Sequence, residues 1–148
     1  MVCTQGVWEV VLMTKMLVIE DDPAWRALYR MGFERDFEVF EAVDGLDALA
    51  ALDRVRPDVI VLDLRMPHLD GMGFLRQMER RGLKVPVIVC SGTFTMGSPP
   101  AIPGVFPAQK SPDLRNLWNA LEAALHRPLG PDSGLKSSRA IDQTLWRD

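Results

Sequence analysis

The chain has 148 residues, nearly half of them apolar and a quarter charged, with a net charge of −3. That length suits one domain with a single substantial core, and the mild acidity offers no basic face of the kind nucleic acids require. Two cysteines, Cys3 and Cys90, match no disulfide, zinc or redox spacing, which fits a reducing cytoplasm, and no stretch is long and apolar enough to span a bilayer.

Residues 1–14 read as an N-terminal leader, with Met13 or Met16 as a second candidate start. Met16 to Ile19 is the first short apolar run and ends in the acidic trio Glu20, Asp21, Asp22. Pro23 suits the first turn of a helix, where its missing N–H would be unpaired anyway, and Trp25, Leu28, Tyr29 and Phe33 form that helix's apolar stripe. Phe37 to Ala42 alternates as a strand. Asp44 is the N-cap of a second helix, with Leu46, Leu49, Ala50 and Leu52 on its inner face and Arg56 and Pro57 closing it.

Val59 to Leu62 is continuous and β-branched, as a strand covered on both faces should be. Gly71 opens a helix with Phe74, Leu75 and Met78 inside, and Gly82 stops it. Val85 to Cys90 is the fourth strand. From Ser91 to Pro107 the chain is rich in proline and glycine, which predicts a shortened or irregular helix there. A fifth strand spans Val105 to Ala108. Ser111 as N-cap and Pro112 at the first helical position announce a last helix carrying Leu114, Leu117, Trp118, Leu121 and Leu125. Residues 128–148 read as a flexible C-terminal tail.

Strands alternating with helices predict an α/β fold: a three-layer α/β/α sandwich on a five-stranded, parallel sheet with right-handed crossovers. Ligands in such folds bind outside the carboxyl ends of the strands. The residues directly after the apolar runs are Glu20 and Asp21, then Asp63, then Ser91, then Lys110. Taken singly, each reads as a turn, cap or solvated residue. Their joint position at successive strand ends points instead to one site. Three carboxylates held together call for a cation, and oxygen ligands without His or Cys favour Mg2+, with Mn2+ as a substitute, over zinc. Beside such an ion a carboxylate can attack a phosphoryl group, with Ser91 and Lys110 each taking a phosphoryl oxygen.

Over roughly Lys15 to His126 the sequence resembles the receiver domain of two-component response regulators, of the stand-alone type. The resemblance rests on MLVIEDDP (Met16 to Pro23), VIVLDLRMPHLDG (Val59 to Gly71), VPVIVCSG (Val85 to Gly92) and AQKSP (Ala108 to Pro112). It implies a receiver over residues 15–127 with flavodoxin-like strand order 2-1-3-4-5 and Asp63 as phosphoacceptor. It also implies Asp21 as a direct metal ligand, Glu20 acting through water, the main-chain carbonyl of Arg65 as a further metal oxygen, Ser91 as the switch hydroxyl and Lys110 as the phosphate-pairing lysine. Met66-Pro67 and Asp70-Gly71 match the turn after the phosphoacceptor.

Three departures concern output. Ser111 stands between Lys110 and Pro112, where the family has Lys followed by Pro. Pro107 occupies the position of the family's switch aromatic, with Phe106 displaced by one residue. The fourth helix is shortened, on a surface that commonly binds partners or a second receiver.

The implied activity is that of a phosphoprotein switch. It takes its phosphoryl group from a sensor histidine kinase or phosphotransfer protein, hydrolyses it slowly, and turns over no outside substrate. A downstream protein partner, a monomeric or weakly dimeric state, no direct DNA binding and no membrane association complete the expectation. The competing class is a phosphorylation-independent interaction module on the same scaffold. A haloacid-dehalogenase-like phosphatase is rejected, since it needs an Asp at position 65, where this chain has Arg65.

Overall fold

The computed structural model describes residues 2–4, 7–9, 13–64, 69–92 and 103–126. In chain order the elements are β1 (Val2–Thr4), β2 (Val7–Glu9), β3 (Thr14–Ile19), α1 (Pro23–Phe33), β4 (Phe37–Ala42), α2 (Gly45–Val55), β5 (Val59–Asp63), α3 (Gly71–Arg80), β6 (Val87–Ser91), β7 (Val105–Gln109) and α4 (Arg115–Leu125). Within the expected leader, β1 and β2 pair as an antiparallel ribbon, Cys3 opposite Trp8. The other five strands form one parallel sheet in the order β4-β3-β5-β6-β7, which is 2-1-3-4-5 counted within the sheet. The fold expected from the sequence is the fold found.

Strand residues alternate between two faces, and each half of the alternation fills a different core. Met16, Val18, Val59, Val61, Ile88 and Cys90 pack toward α1 and α4, against Tyr29, Phe33, Leu117 and Leu121. Leu17, Ile19, Ile60, Leu62, Val87 and Val89 pack toward α2 and α3, against Leu52, Val55, Phe74 and Met78. Each fully buried Val, Leu or Ile contributes about 1.5–3 kcal/mol, so the three central strands hold the layers together. β7 lies at the sheet's edge, and Pro107 is exposed there, a position that tolerates a missing N–H donor.

Two local expectations are corrected. In α2 the inner face is Ala48, Ala51, Leu52 and Val55, while Leu46 is exposed. Gly45 sets this phase: a Cβ there would collide with the Leu69 carbonyl, so the first turn sits directly against that backbone. The last helix begins at Arg115, not Pro112. The Ser111 hydroxyl donates to Asp113 Oδ1 at 2.8 Å, and that oxygen also accepts the Arg115 N–H at 3.1 Å, so Asp113 takes the capping work. Leu114, with φ 59°, turns into the core over Gly32, whose missing Cβ leaves room for it. Other signals hold: Asp44 accepts the Asp47 N–H at 2.8 Å, and Gly82 follows α3 with φ 67°. The segment expected to shorten the fourth helix falls largely on 93–102, and the tail on 127–148; both lie outside the described residues.

Gly71 is where the fold touches the site. A Cβ there would lie 2.7 Å from Leu64 Cα and 2.8 Å from the Asp63 carbonyl oxygen, both backbone atoms that no rotamer change can move. Gly71→Ala should therefore lower stability by about 1–3 kcal/mol, read as a reduced urea midpoint with an unchanged m-value.

Candidate functional site

The carboxyl ends of β3, β5, β6 and β7 converge at one edge of the sheet, as parallel pairing requires. Asp63 pairs in register with Cys90, and Ser91 with Gln109. Beyond the last pair, the Lys110 N–H donates to the Ser91 carbonyl at 2.9 Å, and the Glu20 N–H to the Ala42 carbonyl at 3.1 Å. Glu20, Asp63 and Lys110 continue the alternation of the face toward α1 and α4. Ser91 continues the other. That shared parity brings the lysine to the acids: its Nζ lies 2.8 Å from Glu20 Oε2 and 3.6 Å from Asp63 Oδ2.

Glu20, Asp63 and Ser91 are buried, Lys110 is nearly so, and Asp21 is exposed. Burial pushes the Glu20 carboxyl up to about 7; Lys110 opposes this and the Asp63 charge adds to it. Burial pulls the Lys110 ammonium down, and the Glu20 and Asp63 charges more than reverse that, leaving it raised. Ammonium and carboxylates thus stabilise one another's charged forms against desolvation.

Carboxylate oxygens of Glu20, Asp21 and Asp63 all lie within 4.8 Å of one another. An all-oxygen set with one open, exposed member fits a hard divalent cation. Asp22, third of the acidic trio, serves elsewhere: its side chain caps α1 through the Ala24 N–H at 2.9 Å, while its own N–H reaches Glu20 Oε1 at 3.3 Å. Arg65, Met66 and Pro67 lie outside the described residues, as does Thr93.

Two residues beside the site had no functional reading in the sequence. The Arg26 guanidinium donates to the main-chain carbonyls of Glu20 at 2.8 Å and Asp21 at 3.0 Å, clamping the acidic turn. Trp25 sits with its ring centroid 5.0 Å from Lys110 Nζ. Both occupy the first turns of the helix that follows the acidic pair, which is the signal that marks them as neighbours of the edge.

Residues 16–98, more than half of the chain, match the family described as the response regulator receiver domain. The chain belongs to that family. The chemotaxis protein CheY of Listeria monocytogenes is 36% identical over 87 residues, covering 57% of this chain and 73% of that one. A protein-glutamate methylesterase/protein-glutamine glutaminase of Koribacter versatilis is 39% identical over 87 residues, 57% of this chain and 24% of that protein. The receiver thus spans about a quarter of the methylesterase, and what they share is the receiver part. The response regulator TrrA of Thermotoga maritima, solved in complex with Mg(2+)-BeF, superposes with a TM-score of 0.68 over 76% of this chain and 99% of that one. At 21% identity that match speaks for the fold alone. The family match ends before β7, so the place of Lys110 in the receiver rests on its geometry.

The raised Glu20 carboxyl has a consequence for stability. The folded state holds a proton there that the unfolded chain releases near pH 4.5, so stability is lost as pH rises from about 4.5 to about 7. In protein stripped of divalent ions, wild type should lose roughly 2–3 kcal/mol relative to Glu20→Gln across that window, measured by urea unfolding at several pH values.

Proposed function

We propose that this receiver is a phosphorylation switch in which Asp63 accepts a phosphoryl group from a phosphohistidine on a sensor histidine kinase or phosphotransfer protein. The observation that carries the reading is Lys110 Nζ at 2.8 Å from Glu20 and 3.6 Å from Asp63, a cation within reach of whatever anion forms on Asp63. In the transfer an Asp63 carboxylate oxygen attacks phosphorus, the P–N bond breaks, and its electron pair leaves on the imidazole nitrogen, which takes a proton from water. The product is an acyl phosphate on Asp63.

The chain's own residues divide the remaining work. Lys110 moves from Glu20 toward a phosphoryl oxygen, a short step because it already borders Asp63. The Ser91 hydroxyl donates to a second phosphoryl oxygen. Arg26 keeps the Glu20 and Asp21 carbonyls fixed, so both acids stay aimed at the edge. A divalent cation, Mg2+ or in its place Mn2+, would be held by Asp21, Asp63 and, through water, Glu20, with the Arg65 main-chain carbonyl as a further oxygen, and would neutralise phosphoryl charge. The all-oxygen donor set of Glu20, Asp21 and Asp63 supports that choice of ion. Hydrolysis by water resets the switch, and a downstream protein reads it. The proposed setting is cytoplasmic; no helix among the described residues is long and apolar enough to cross a membrane, which by itself assigns no compartment.

With acetyl phosphate and Mg2+ the wild-type chain should gain one hydroxylamine-labile mass increment of a phosphoryl group, and Asp63→Asn should gain none. Lys110→Met should slow the reaction on the order of 10²–10³-fold, the usual cost of losing one charge stabiliser of a transition state. Intact-mass spectrometry over time reads all three. Labelling of Asp63→Asn at the wild-type rate would refute the assignment.

A further inference from the structure

Position 107, three residues before Lys110, is an exposed proline on the edge strand. The aromatic ring that faces Lys110 among the described residues comes from another element. Trp25, in the first turn of α1, presents its indole to the ammonium at 5.0 Å. It is only partly buried, so it is not simply a core residue. Its ring leans on Tyr29 at 5.7 Å between centroids, and Tyr29 is fully buried in the core beside Cys90, the residue before Ser91. Its chain neighbour Arg26 holds the carbonyls of the acidic turn. The indole is therefore braced by a fully buried core residue, and the flexible partner in the contact is the lysine.

We propose that Trp25 is a positioning residue for phosphoryl transfer, its indole face holding the Lys110 ammonium at the carboxylate edge. A lysine has four rotatable bonds and a strongly hydrated head that water competes for. Lys110 reaches the site from an edge strand with solvent beside it, so its place there needs support. A ring face attracts the ammonium without neutralising it, which leaves the charge available to a phosphoryl oxygen. Because Nζ already lies 3.6 Å from Asp63 Oδ2, the shift from Glu20 to the phosphoryl group is short. This inference rests on Asp63 being the phosphoacceptor.

The test is a double-mutant cycle on the full chain, with acetyl phosphate and Mg2+ and the initial labelling rate as readout. Trp25→Leu should slow labelling about 3- to 30-fold, the rate equivalent of a cation–π contact, and Trp25→Phe should retain most of the rate. In a Lys110→Met background Trp25→Leu should cause no further slowing, because the ammonium through which the indole acts is gone. Far-UV circular dichroism and the urea midpoint report folding of each variant. If Trp25→Leu does not fold, the same cycle run with Trp25→Phe decides, a small loss with Lys110 present and none with Met there being the expected pattern. Labelling of the folded Trp25 variants at the wild-type rate overturns the inference, as does equal slowing in both backgrounds. A wild type that takes no label at all fails at Asp63 instead, a different and separately visible result.

Discussion

The structure turns on one countercharge. Parallel pairing of β3 and β5 puts three carboxylates at a single sheet edge, two of them buried, and nothing in the apolar layers beneath can solvate them. Lys110 answers that charge from β7, the last strand of the sheet, 47 positions beyond Asp63 in sequence and 3.6 Å from it in space. The registers of β5 on β6 and of β6 on β7, and the Lys110 N–H bond to Ser91, all serve to deliver this ammonium on the correct face. A slip of one residue in β7 would send it to the other side of the sheet.

Much of this was legible in the chain. The continuous apolar runs of Met16–Ile19, Val59–Leu62 and Val85–Cys90 specify strands covered on both sides, and the polar residue ending each run specifies the edge. That is why Glu20, Asp21, Asp63 and Ser91 could be named together, and Lys110 with them. Less legible were features decided by contacts between elements. Leu46 looks apolar and inward in one dimension, yet Gly45 lies so close to Leu69 that the helix is rotated and Leu46 faces water. Ser111 and Pro112 look like a helix start, yet Asp113 competes for the capping role two residues later and defers the helix to Arg115. Propensity states a preference, and packing chooses among preferences.

The same distinction explains Trp25 and Arg26. Their spacing fits the apolar stripe and the solvated face of an ordinary amphipathic helix, and Tyr29 and Phe33 obey that pattern fully. What spacing does not carry is the height of the helix above the sheet edge. Asp22 sets that height, capping the helix directly after the acids, so the first turn stands over the site. Helix α1 thereby becomes part of the site as well as cover for the core. With Pro107 on the edge strand, the aromatic in contact with the charged cluster among the described residues belongs to α1.

The central claim is that the carboxylate beside Lys110 forms an acyl phosphate. Borohydride reduces an acyl phosphate to an alcohol, converting the phosphorylated aspartate to homoserine in place. After acetyl phosphate treatment and reduction, peptide mapping should find homoserine at position 63, with Glu20 and Asp21 unchanged. Homoserine at another aspartate, or none under conditions that label a receiver of known activity, would contradict the account.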